Sequence, residues 1–117
     1  MLDVMLPTIL SEAYFENPLI PINILKASRK NVNTDSDALQ KLMDATFHRE
    51  DYRGKLKAIK KPTLIVHGNK DALLPVHMGK AVAESINGSI FKVIDAGHTL
   101  NLEAVPQTAK LIKEFLE

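Results

Sequence analysis

No cysteine occurs among the 117 residues, which excludes disulfides and thiolate chemistry and suits a reducing compartment such as the cytoplasm. A dominant charge is missing too: 15 Lys and Arg stand against 14 Asp and Glu, leaving a formal net charge of +1. Basic residues cluster no more densely than Arg29-Lys30 or Lys60-Lys61, so neither nucleic acid nor an anionic membrane finds an electrostatic footprint. No uncharged apolar run approaches the ~20 residues that span a bilayer. The first ten residues are apolar but hold Asp3 and Pro7 and lack a basic start, which makes them a poor secretory leader. The expectation is a soluble cytoplasmic protein with no membrane and no nucleic-acid partner. Repeats and low-complexity segments are absent as well. Apolar residues at 45% and charged residues at 25% are ordinary globular values, and the length allows one domain at most.

The most informative stretch is Lys61-Pro62-Thr63-Leu64-Ile65-Val66-His67-Gly68-Asn69-Lys70-Asp71. Pro62 and Gly68 bracket a continuous apolar, β-branched run at 63–67, the pattern of a central parallel strand covered on both faces. Asp71 then leaves the carboxyl edge, where open α/β sheets keep their ligands. A second strand is predicted over residues 90–94, with Asp95-Ala96-Gly97-His98 emerging from the same edge. Between them residues 76–86 form an amphipathic helix stopped by Asn87-Gly88. Strand, helix, strand is a parallel crossover. Neighbouring strands lie ~4.8 Å apart, so Asp71 and His98 can meet although distant in sequence. That is the geometry an acid needs to orient an imidazole. Taken singly, Asp71 also reads as a turn residue after Gly-Asn-Lys, and His98 as a loop or capping histidine.

Before the strands, Pro7, Pro18 and Pro21 cut residues 1–34 into short apolar pieces, with a helix expected from Pro21 to about Lys30. Residues 34–47 read as a helix with a Thr34/Asp37 capping box and a face of Leu39, Leu42, Met43 and Phe47 that needs a cover. A charged connector over 48–54 leads to a short helical piece ending at Lys60. The last helix starts near Pro106; its stripe of Val105, Ala109, Ile112 and Leu116, with Leu111 and Phe115 beside it, should pack on the sheet.

The order Leu56-x-x-Ile59-x-x-Pro62-Thr63-Leu64-Ile65-Val66-His67-Gly68-x-x-Asp71-x-x-x-Pro75, then Ala96-Gly97-His98, then Glu103-x-x-Pro106 and Phe115-Leu116 resembles the carboxy-terminal half of an α/β-hydrolase. The resemblance implies a partial α/β-hydrolase fold: two parallel strands with a crossover helix and a carboxy-terminal helix in residues 56–117, and a helical lid-like remnant in residues 1–55. It implies that Asp71 is the triad acid and His98 the general base, in the family's chain order. It does not make Glu103 catalytic. No cofactor and no metal are implied. A zinc site from His67, Asp71, His77 and His98 lacks the short ligand spacings of metal motifs. His67 reads as a packed residue, and His48 and His77 as surface.

The family's Gly-x-Ser-x-Gly elbow has no counterpart among Gly54, Gly68, Gly79, Gly88 and Gly97, and none of Ser11, Ser28, Ser36, Ser85 and Ser89 stands at a strand-to-helix turn before the acid. The expectation is half an enzyme. The complete protein would hydrolyse a small ester, lactone or related carbonyl substrate, while this chain alone would be inactive. The other reading is a non-catalytic chain that docks on an amino-terminal half or self-associates as a homo-oligomer.

Overall fold

The computed structural model describes residues 2–28 and 35–117. Four helices come first, α1 (Leu2–Ile9), α2 (Glu12–Glu16), α3 (Ile22–Ala27) and α4 (Ser36–Phe47). The short α5 (Arg53–Leu56) precedes strand β1 (Leu64–Gly68), then α6 (Val76–Ser85), β2 (Ile90–Ile94), α7 (Leu100–Glu103) and α8 (Val105–Leu116).

β1 and β2 pair in parallel with Leu64 opposite Ile90 and Gly68 opposite Ile94. The ladder runs one bond further, Asn69 N–H donating to Ile94 O at 2.9 Å, so both chains leave the sheet together at one edge. Pro75, extended at φ −58° and ψ 149°, feeds the crossover helix α6. Its small buried residues Gly79 and Ala83, with Ile86 one turn on, repeat at helical spacing and let it lie close on the sheet. The hydroxyls of Ser85 and Ser89 donate to Ala81 O and Ala83 O at 2.8 Å, satisfying carbonyls of its last turn.

Sequence and structure differ at several places. β1 was expected to be buried on both faces, yet Leu64 to His67 are only half-buried and Gly68 alone is buried. The described sheet has two strands, and β1 is paired on one side. In α8 the half-buried row is Thr108, Leu111 and Phe115, whereas Val105, Ala109, Ile112 and Leu116 face outward, Leu116 at 76% exposure. That helix carries two apolar rows, and the sheet takes the narrower one. α4 is capped by Asp35, whose carboxylate accepts the amides of Asp37 at 2.9 Å and Ala38 at 3.4 Å; Thr34 lies outside the described residues. α3 ends at Ala27 and the expected end at Lys30 is likewise outside them, while α5 is shorter than expected and starts inside the charged connector. The predicted α4 face is uncovered, with Leu42 and Phe47 exposed.

Burial concentrates in two places. Leu6, Leu10 and Tyr14 cluster in the amino-terminal helices with Ile9, Ile22 and Leu25 around them. Small residues, Gly68, Ala83, Ala96, Gly97 and Ala104, fill the join between sheet, α6 and the loop after β2. Among the described residues no helix is long and apolar enough to cross a membrane.

Candidate active site

Asp71 sits three residues beyond β1, in a turn that its own carboxylate organises. Oδ1 accepts the amides of Leu73 at 2.9 Å and Leu74 at 2.8 Å, an Asx-type turn that aims Oδ2 at the loop after β2. There Oδ2 meets Nδ1 of His98 at 2.9 Å. An ionised carboxylate can only accept, so Nδ1 carries the hydrogen, and in the neutral imidazole the lone pair is then on Nε2. The acid is sealed and the imidazole is open: the Asp71 side chain is 4% exposed and that of His98 35%.

Burial pushes the Asp71 carboxyl up, but the amide of Leu74, the His98 imidazole and the amide of Leu73 together outweigh it and hold the group below its ordinary value. The carboxylate therefore stays charged while enclosed. His67, at the end of β1, points Nε2 at Leu74 O, 2.8 Å away, and lies 3.5 Å from Asp71 Oδ2. A carbonyl only accepts, so His67 donates there and braces the same turn. This is the packed role expected of it. His48 hydrogen-bonds Asp44 O at the end of α4 and is exposed, and His77 is exposed on α6. Among the described residues no cluster of His, Asp and Glu is arranged to hold a metal ion.

The two edge loops are locked together. Lys70 N–H donates to Ala96 O at 2.9 Å and Lys70 Nζ reaches Asp95 Oδ2 at 2.9 Å. A Cβ on Gly68 would overlap the carbonyl oxygens of Ala96 and Gly97, so only glycine lets the histidine loop lie this close to β1. On its other side that loop is tied to the amino-terminal helices: His98 N–H and Thr99 N–H both donate to Ile9 O, at 3.0 and 3.2 Å. Sequence reasoning missed this tie. Glu103, whose carboxylate accepts from Ser11 N, Gly97 N and Thr99 Oγ1, belongs to it. The only local signal was the Thr99-x-x-x-Glu103 spacing. Beside the acid turn, a cleft of about 490 Å³ opens between Pro7, Leu10, Ser11, Glu12 and Lys70, Ala72.

The chain is similar in sequence and in fold to known hydrolases. It is 37% identical over 81 residues to a pimeloyl-[acyl-carrier protein] methyl ester esterase of Neisseria meningitidis, a match over 68% of this chain and 31% of that protein. It is 28% identical to 3-oxoadipate enol-lactonase 1 of Acinetobacter baylyi, over 79% of this chain and 38% of the relative. Among solved structures a thermophilic esterase from Thermogutta terrifontis superposes with a TM-score of 0.81 at 30% identity, over 97% of this chain and 42% of that one. An enol-lactonase from Burkholderia xenovorans gives 0.81 at 26%, over 97% and 43%. The chain has the fold of the carboxy-terminal part of an α/β-hydrolase. No family model matches it. This α/β-hydrolase segment spans roughly a third of the length of the curated relatives it matches.

Proposed function

We propose that these 117 residues are the acid and base part of a site that hydrolyses a small ester or lactone, and that the nucleophile and oxyanion hole stand on other polypeptide. The observation that carries this reading is the 2.9 Å contact between Asp71 Oδ2 and His98 Nδ1, which in the neutral imidazole puts the lone pair on Nε2. In the complete site a hydroxyl nucleophile hydrogen-bonded to Nε2 attacks the substrate carbonyl as His98 takes its proton. His98 then returns the proton to the leaving alkoxide, and a second round with water releases the acid. Asp71 holds the tautomer and stabilises the imidazolium that forms at each proton transfer. Relatives named as esterases and an enol-lactonase support an ester carbonyl as target. Residues 1–55 then act as a lid-like segment and residues 56–117 as part of the catalytic core, in the cytoplasm.

The test is hydrolysis of a p-nitrophenyl ester by the chain alone, compared with an Asp71→Ala, His98→Ala double variant. Equal background rates are expected, because most of the acceleration in such sites needs the nucleophile and oxyanion hole. Activity that vanishes in the double variant would overturn the division of the site.

A second reading is favoured by the surface. Among the described residues β1 is paired on one side alone, and the α4 face of Leu42 and Phe47 and the outer row of α8 are apolar and exposed. They would serve a chain that binds an amino-terminal half or a second copy of itself, with no chemistry of its own.

A further inference from the structure

Two segments distant in sequence, the one at Ser11 and the histidine loop, meet at one carboxylate. Glu103 Oε2 accepts the amide of Ser11 at 2.9 Å and the amide of Gly97 at 3.0 Å, and Oε1 accepts the Thr99 hydroxyl at 3.2 Å. Ser11 and Glu103 are 92 positions apart. Gly97 and Thr99 flank His98 directly, so the carboxylate holds the backbone before the histidine and the side chain after it. The surroundings leave little slack: Ala96 is 1% exposed and Ala104 2%. A Cβ on Gly97 would stand 2.6 Å from Glu103 Oε1 and 2.8 Å from Ser11 N, so the carboxylate closes on bare backbone. Ile9 O completes the arrangement by accepting from His98 N and Thr99 N.

We infer that Glu103 is a positioning residue for His98: its carboxylate clamps residues 97 and 99 to Ser11 and thereby holds the imidazole where Asp71 can orient it. This rests on the reading of Asp71 and His98 as acid and base. The clamp also makes the amino-terminal helices and the histidine loop one body. Leu10 and Ser11 line the 490 Å³ cleft, so a shift of that wall reaches the backbone beside His98 through the two bonds of the Glu103 carboxylate. Acceptance from two amides and a hydroxyl is a task for a carboxylate or, nearly as well, a carboxamide. A Gln oxygen can take both amides, while its NH₂ donates to a turned Thr99 hydroxyl.

The experiment is ¹⁵N NMR of the imidazoles in the full 117-residue chain, comparing wild type, Asp71→Asn, Glu103→Gln, Glu103→Ala and Thr99→Val. Wild type is expected to show His98 as the Nδ1–H tautomer, lost in Asp71→Asn; if Asp71→Asn leaves the His98 signals unchanged, the acid and base reading itself fails, whatever Glu103 does. Given that contrast, Glu103→Ala with unaltered far-UV circular dichroism is expected to show a mixture of tautomers, while Glu103→Gln restores the wild-type signals. A folded Glu103→Ala chain with His98 as in wild type overturns the inference. Should Glu103→Ala fail to fold, Thr99→Val decides: a partial loss of the tautomer supports the clamp, and unchanged signals refute it.

Discussion

Asp71 and His98 are separated by 27 positions in sequence and 2.9 Å in space, and the acid is buried where the histidine is open. The difference in exposure follows from which turn each ends. Asp71 folds its carboxylate back over the amides of Leu73 and Leu74, whereas His98 projects from a loop whose backbone is held by Ile9.

The depressed Asp71 carboxyl makes stability depend on pH. In the unfolded chain the group titrates near 3.8, and in the folded chain lower. Between the two values the unfolded state binds more protons. The stabilisation is therefore complete above the unfolded value and lost as pH falls through the folded one. Urea unfolding of wild type and Asp71→Asn should differ by about 1–3 kcal/mol at pH 7, the scale of hydrogen bonds to a charged acceptor. The two curves should draw together as pH falls below 3.8 and on through the lower folded value. A difference that persists unchanged at pH 2 would mean that the carboxylate charge contributes nothing.

Gly68→Ala should be costly and Gly54→Ala harmless. The first places a methyl group into the Ala96 and Gly97 carbonyls, whereas the second meets nothing within 4 Å on a helix. Overpacking of this kind costs about 1–3 kcal/mol or more, and Gly to Ala in a helix gains about 0.5–1 kcal/mol. Thermal melts of the two variants should move in opposite directions. Equal shifts would show that the histidine loop can yield.

The apolar surface predicts association. Leu42 and Phe47 on α4 and Ile112 and Leu116 on α8 are exposed rows, and β1 offers an unpaired edge. Sedimentation at micromolar concentration should give a species larger than 13.0 kDa, and Leu42→Lys with Phe47→Lys should reduce it if the α4 face is the contact. A compact 13.0 kDa monomer in wild type would contradict this.

The sheet and its edge were legible because their signals are local. Pro62 and Gly68 bound one apolar run and Gly88 precedes the next, and β2 lies where those boundaries put it, with β1 shifted by a single residue. Both strands' carboxyl ends then follow from a parallel crossover. The packed face of α8 was not legible, since Val105, Ile112 and Leu116 form as good a stripe as Leu111 and Phe115, and only the neighbouring strand decides between them. Nor was the burial of β1, which depends on what pairs with its free side. The cap of α4 is Asp35, the better capping residue of the adjacent pair, where the capping-box spacing points to Thr34. The Glu103 clamp was invisible for a stronger reason: its partners Ser11 and Gly97 contribute backbone amides, which every residue carries.

The central claim, that Asp71 and His98 form a working acid and base, is tested most directly by a chimera. The matching part of the Thermogutta terrifontis esterase, 42% of its chain, is replaced by this sequence, and p-nitrophenyl ester hydrolysis is measured with and without substitution at the two positions. The account predicts ester hydrolysis that falls by at least about a hundredfold in His98→Ala, the scale of losing a general base, and substantially in Asp71→Ala. Hydrolysis by the chimera that is undiminished in His98→Ala would contradict it.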